Sequence, residues 1–351
     1  MGRGIRGRVP WAPVPTAISG LTTMRVGGPA RAFAVASTSD ELVSLVRDAD
    51  ASGTPVLLVG GGSNLVVSDD GFDGLVVKVE TSGVRVDGDA MWVAAGERWD
   101  GVVARSLDEG LAGLEALSGI PGLSGATPVQ NVGAYGTVTS DVLESLTVYD
   151  RETGETSVWG PERCGFGLHR QSVFKHSTRY VILDTTMRLR RSGSSDPVRY
   201  AGLADRLGVT IGDTVAAKDV REAVLDLRRQ KGMVLDASDH DTWSVGSFFL
   251  NPVLAEVPSS ASRAPQYPDP SGIKIHAAWL IQNAGFAHGY GTEFGNGTAA
   301  LSTKHVLAIT NRGGATTADV MALASHIRDG VEAEFGITLV PECDLVGCSL
   351  A

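Results

Sequence analysis

Four segments of this 351-residue sequence carry residue types whose spacing suits chemistry. The first is Gly60-Gly61-Gly62-Ser63-Asn64, entered directly from the apolar run Val56–Val59. Successive backbone N–H groups in mixed right- and left-handed conformations form an anion-binding nest, as in phosphate cradles. The loop matches neither G-x-G-x-x-G nor a P-loop, which disfavours Rossmann and kinase-type sites; a tight strand-to-loop turn is the structural alternative. The second segment centres on Ser247, between Gly246 and Phe248-Phe249. It is not the middle of G-x-S-x-G, so no hydrolase elbow is indicated. A largely desolvated hydroxyl there either bonds the main chain or delivers a proton to a ligand. The third is Arg170, which among apolar neighbours clamps a carboxylate or phosphate, or else makes a structural ion pair. The fourth is Glu342, following Pro341 at the end of an apolar run: a buried carboxylate or, as the residues alone favour, a surface acid.

These segments need elements to hold them. Ala30–Ala36 reads as a strand, and Thr38-Ser39-Asp40-Glu41 as a capping box opening a helix. Leu42, Leu45, Val46 and Ala49 form its apolar stripe, Gly53 and Pro55 stop it, and Val56–Val59 returns as a strand. Short strands are predicted at Leu75–Val79, Val84–Val86 and Met91–Ala95, followed by a helix over Asp100–Glu109. The stretch 118–136 has too much Gly and Pro for a regular element, yet is too apolar for a solvated linker, so it should lie buried against something. Strands resume at Leu143–Asp150 and Tyr180–Leu189, and Arg190–Pro197 has the composition of a linker or surface loop. Helices are predicted over Val215–Lys231 and Thr316–Phe335, the latter with Thr316 and Asp319 as capping box, and a last strand over Ile337–Val340.

Composition narrows the class. Charged residues make up 20% and the net charge is −10, which argues against a nucleic-acid footprint. No apolar run is long enough to span a membrane. The cluster Arg3, Arg6, Arg8 has no apolar stretch after it and is not read as a secretory signal, so a cytoplasmic protein is expected. Seven scattered histidines and three cysteines without a C-x-x-C pair suggest neither a metal site nor a disulfide framework. Glycine is the outlier, at 44 residues, and points to loops that bind.

Taken together, the segments resemble the UDP-N-acetylenolpyruvoylglucosamine reductases. The likeness runs from about Thr22 to Gly347. Thr22-Thr23-Met24-Arg25-Val26-Gly27-Gly28-Pro29-Ala30 looks like the family's opening, while Val59–Asn64 and Ile120–Gly136 resemble its flavin-binding loops. Gly246–Pro252 and Leu339–Glu342 resemble its catalytic segments.

The resemblance implies an α+β chain: a two-subdomain FAD-binding fold of the vanillyl-alcohol-oxidase (PCMH) type plus a smaller substrate-binding α+β domain. The divisions expected are an extension over 1–18, the FAD domain over 19–191 (subdomains about 19–78 and 79–191) and a connecting segment over 192–235. The substrate domain follows over 236–335, with a C-terminal strand and tail over 336–351. It further implies FAD as cofactor, NADPH as hydride donor and UDP-N-acetylglucosamine enolpyruvate as substrate, with no obligate protein partner. Hydride would reach substrate C3 by way of the flavin, and Ser247 would protonate C2. Arg170, Ser247 and Glu342 fall on the catalytic positions. Gly60, Gly61, Gly62, Ser63, Asn64, Pro128, Gln130, Asn131, Gly133, Ala134 and Tyr135 fall on the flavin loops. Tyr200 matches a mobile tyrosine that covers substrate, and Lys231 and Asn251 match further substrate contacts. His169 stands where the family usually has Tyr, and Gly285–Gly291 looks longer and richer in glycine than usual. Another FAD oxidoreductase of the same fold group, such as an alcohol or hydroxy-acid oxidase, is the rival enzyme. A flavin- or nucleotide-sugar-binding protein without catalysis is the rival of another class.

Overall fold

The computed structural model describes residues 16–167 and 171–350. Leu168, His169, Arg170 and the Arg3, Arg6, Arg8 cluster lie outside the described residues. Pro29–Ala36, Phe72–Val79 and Val56–Val59 lie in parallel in that order, with Thr16–Ala17 antiparallel at the edge. The expected strand–helix–strand unit is therefore present, with Phe72–Val79 inserted between its two strands. Helix α1, Ser39–Ala51, makes the crossover and buries Leu42, Val46 and Ala49 completely, leaving Leu45 only partly covered. Thr38 accepts the Glu41 N–H at 3.1 Å, but the Glu41 carboxylate takes the N–H of Ser37, at 2.8 Å. The reciprocal half of the expected capping box thus falls one residue early.

A second sheet is antiparallel throughout, in the order Glu155–Trp159, Leu143–Asp150, Tyr180–Arg188, Ala90–Ala94, Val84–Asp87. Glu155–Trp159 escapes a reading by hydrophobicity because its first four residues are solvent-exposed, as on an edge strand. Helix α2, Trp99–Asp108, packs Trp99, Val102 and Val103 against Met91, Val93 and Met187. The two sheets meet where Leu75, Val77, Val79 and α1 touch Tyr149, Val181 and Leu183.

Arg190–Pro197 runs along the surface, as expected, but is tied down at three points. Arg190-Arg191 pair with Leu111-Ala112, Ser195 is buried, and its N–H bonds the Val215 carbonyl at 2.8 Å. Most of its polar residues meet solvent, and Arg190 pairs with Asp196. Two helices follow. α3, Ala201–Leu207, is too short for its periodicity to show in sequence; α4, Ala217–Gln230, packs Val220, Ala223 and Val224 against Val198 and Leu203.

The C-terminal part is built around helix α5, Ala277–Asn283, and helix α6, Thr317–Phe335. Leu280, Ile281, Leu301, Ile309, Val320, Leu323, Ile327 and Val331 form its core with Phe248 and Phe249. The capping box of α6 closes on both sides: Thr316 takes the Asp319 N–H at 3.1 Å, and Asp319 takes that of Thr316 at 2.9 Å. After α6 the chain buries Ile337 and Leu339 in alternation but pairs only at its end, where the Leu250 N–H bonds the Val340 carbonyl. The strand expected at 337–340 is not formed. A strand appears instead at Asp344–Val346, parallel to Leu65–Val67.

This C-terminal part is fastened to the first sheet's loops. Met24, Val26 and Val66 belong to its core, and Asp69 takes the N–H groups of Thr317 and Ala318 at the start of α6, at 2.8 and 2.9 Å. The Asn311 amide donates to the Met24 carbonyl at 3.0 Å. The glycine-rich stretch 285–297 folds onto α6. Phe294 stacks on His326 at 4.8 Å, the Tyr290 hydroxyl meets the His326 ring nitrogen at 2.9 Å, and Phe286 lies against Gly330, where a Cβ would approach the ring to 2.5 Å. Of its own glycines, Gly291 and Gly297 allow close approach, an added Cβ lying 2.8 and 2.5 Å from carbonyl oxygens, while Gly285 and Gly295 have nothing within 4 Å.

Candidate active site

Gly246 begins the construction of the site. Its φ of +77° turns the chain so that Ser247 borders a cavity while Phe248 enters the core. The Phe248 N–H bonds the Leu307 carbonyl at 2.7 Å, and the Phe248 carbonyl accepts the Glu342 N–H at 2.8 Å. Phe249 and Pro341 form an antiparallel bridge. Two segments nearly a hundred residues apart are thereby paired, and both Ser247 and Glu342 line one cavity of about 180 Å³. Its other walls include Thr23, Ser63, Asn64, Gln130, Gly133 and Arg228.

Glu342 is buried at 8% exposure, contrary to the surface position that the residues alone favour. The reason is the Phe248 pairing, which draws the chain inward just after exposed Val340. Ser247 is half-buried, and among the described residues its hydroxyl makes no hydrogen bond, so it does not serve the main chain. It faces the cavity with its proton free to be used. Arg170 lies outside the described residues.

A second, larger cleft of about 720 Å³ opens between the two sheets. Leu57, Leu58, Leu65, Val79, Val181 and Ile182 give it largely apolar walls, with Gly60 at one end. Polar groups sit among them: His176, Ser177, Thr178, Arg151 and Asp344. Burial pushes the Asp344 carboxyl above the usual carboxylate range, against the pull of His176 and Lys175. A large, mostly apolar cleft with a few polar groups suits a flat heterocycle carrying a polar tail. None of these five polar residues is visible to motif reading, because they come from connections next to two inner strands of the second sheet and from the strand Asp344–Val346.

The loop residues divide by role. Gly60 lines the large cleft; Ser63, Asn64, Gln130 and Gly133 line the small one. A Cβ on Gly61 would meet the Gly122 Cα at 2.7 Å, and one on Gly62 the Leu21 carbonyl oxygen at 2.1 Å. These two glycines let loops approach one another. Pro128 is buried, and its carbonyl accepts the Asn131 N–H at 3.2 Å. Asn131 itself, at φ +40°, exchanges hydrogen bonds with Ser140 and so ties its own loop. Ala134 packs beside α2, while Tyr135 meets Tyr200 edge-on at 5.3 Å.

Tyr200, Lys231 and Asn251 are all exposed and stand outside the Ser247 cavity's lining. Tyr200 immediately precedes α3 and Lys231 follows α4. The Asn251 side-chain oxygen accepts the Ala277 N–H at 2.9 Å, which occupies that oxygen at the start of α5. Arg228, missed in the sequence, brings a cation to the cavity from the last turn of α4.

Close to Lys231 lies His305. Burial, together with the charges of Lys231, His276 and His288, pushes its pKa down to about 4. A histidine held neutral in the fold takes up a proton on unfolding, so it favours the native state only while the unfolded ring is also neutral. Its contribution is fully present above the ordinary value of 6.5 and falls away as pH drops towards about 4. Thermal melts should show His305→Gln resisting acidification from pH 7 to 4.5 better than wild type, by up to about 3 kcal/mol. Parallel stability curves would refute this.

Comparison with known proteins places the chain. The model for an FAD binding domain matches residues 30–159, and that for the UDP-N-acetylenolpyruvoylglucosamine reductase C-terminal domain matches 237–346. The UDP-N-acetylenolpyruvoylglucosamine reductase of Thermobifida fusca is 52% identical, over 95% of this chain and 97% of that protein. The chain belongs to the UDP-N-acetylenolpyruvoylglucosamine reductase family. The Saccharopolyspora erythraea reductase is 51% identical over 95% of this chain and 96% of its own length. Among solved structures, the reductase of Thermus caldophilus matches with a TM-score of 0.65 and 25% identity, covering 96% of this chain and 99% of that one.

The family's two matched regions meet at the small cavity. Ser63, Asn64, Gln130 and Gly133 come from the FAD binding domain match, Ser247 and Glu342 from the reductase C-terminal match. The chain is α+β, with the expected two-sheet FAD-binding part followed by a smaller mixed part. The residues lining the large cleft fit FAD: apolar walls for the ring systems, with Gly60 and polar side chains for the rest.

Proposed function

We propose that this protein reduces UDP-N-acetylglucosamine enolpyruvate to UDP-N-acetylmuramate, with FAD as cofactor and NADPH as the source of hydride. The placement of Ser247 and Glu342 in one cavity between the flavin loops and the C-terminal part carries this reading. The reaction belongs to peptidoglycan precursor synthesis, and its two soluble nucleotides place it in the cytoplasm. In this reading 19–191 is the FAD domain, 192–235 a connecting segment and 236–335 the substrate domain; the bonds from Asp69 to α6 would hold the last over the first.

Bound FAD supplies a carrier that takes hydride from one nucleotide and gives it to the other. The protein's own task is placement and proton delivery. Hydride arrival at C3 leaves negative charge spread from C2 into the substrate carboxylate, which preorganised donors stabilise best in a dry site. Arg170 and Arg228 are the cations for that carboxylate. Glu342 is positioned through its backbone bond to Phe248 and completes the hydrogen bonding there. The Ser247 hydroxyl gives its proton to C2 from one face. Tyr200, Lys231 and Asn251 would hold the nucleotide-sugar outside the cavity.

The purified protein should show a flavin spectrum that bleaches with NADPH and recovers only when the enolpyruvyl nucleotide is added. Rapid recovery in air without it would select an oxidase instead. Tyr200→Ala should raise KM for the enolpyruvyl substrate about tenfold, the scale of one aromatic contact made to bound substrate. Flavin reduction by NADPH should barely change; unchanged KM would remove Tyr200 from the substrate site.

A further inference from the structure

Lys78 sits on Phe72–Val79, in register with Val59, the last residue before the glycine loop. Its ammonium donates to the Gly60 carbonyl. In a trans peptide the carbonyl and the following N–H point in opposite directions, so this bond aims the Gly61 N–H away from Lys78. With Gly61 pressed on Gly122 and Gly62 at φ +60°, the loop has little freedom to turn that N–H elsewhere. A half-buried ammonium has lost part of its hydration, and one neutral carbonyl does not make that good. Burial pulls its pKa below the ordinary range, opposed by the nearby carboxylate of Glu80. A full positive charge beneath an N–H-lined loop is complementary to a ligand carrying negative charge on the loop's other side.

We propose that Lys78 is a positioning residue for the diphosphate of FAD, fixing the Gly60–Gly61 peptide so that the loop's N–H groups face the phosphates. This rests on the FAD reading, which titration of the wild-type protein tests separately. Flavin-stripped wild-type protein and the Lys78→Met and Lys78→Arg variants are titrated with FAD, with ADP, which keeps the diphosphate, and with riboflavin, which lacks it. Lys78→Met should weaken FAD and ADP about tenfold to a hundredfold, the scale of a lost charge-assisted contact, and leave riboflavin unchanged. Lys78→Arg should restore most of the FAD affinity. Unchanged FAD affinity in Lys78→Met overturns the proposal. So does an equal loss for FAD and riboflavin, since that would mark the lysine as a support for the fold alone.

Discussion

Ser247→Ala is expected to slow reoxidation of the reduced flavin by the enolpyruvyl nucleotide about 10²–10⁴-fold, the usual contribution of a positioned general acid. Reduction of the flavin by NADPH should proceed at the wild-type rate. The separation follows from geometry. The loop carrying Ser247 is held by the Phe248 N–H to Leu307 and by the Glu342 N–H to the Phe248 carbonyl, and neither bond involves the serine hydroxyl. That hydroxyl has no hydrogen bond among the described residues, so removing it unties none of them. Stopped-flow measurement of the two half-reactions decides the matter. Equal slowing of both would mean that the alanine disturbs the cavity, and would sink the proton-donor role.

The sequence displayed what depends on local chain chemistry. The α6 capping box, the apolar stripe of α1 and the strand Leu143–Asp150 all stand where periodicity put them. Glu342 shows the limit: its burial comes from pairing with Phe248, a contact no local pattern contains. Arg190–Pro197 is on the surface as its polar composition says, but the backbone groups that anchor it, at 111–112 and Val215, are distant in sequence and left no sign. Motif matching named the flavin loops as continuous strings. In the fold, neighbouring residues of one string part company: Gln130 lines the small cavity, Asn131 braces its own loop, and Tyr135 faces Tyr200. Arg228 and Asp344 were invisible for a related reason, since a single charge in a helix end or short strand carries no spacing signal.

Gly62→Ala should cost about 2–5 kcal/mol and strip the protein of much of its flavin; the range joins a left-handed non-glycine residue to overpacking. Gly62 adopts φ +60°, and an added Cβ would lie 2.1 Å from the Leu21 carbonyl oxygen and 2.7 Å from the Thr22 Cα. Both obstacles are backbone, so no side chain can rotate to make room. The Thr23 N–H bond to the Gly62 carbonyl, 3.1 Å, lies in the same contact and must stretch when the loops separate. Thr23 also donates from its hydroxyl to Ser244, three residues before Ser247, so the displacement reaches the reaction cavity as well. Gly53→Ala isolates the conformational part. Gly53 has φ +66° but nothing within 4 Å of an added Cβ, so its loss should be no more than about 1–2 kcal/mol with flavin retained. Denaturant titration with the flavin absorbance read in parallel compares the two. Equal losses would show that the close approach of Gly62 to Leu21 is not what holds the flavin loop in place.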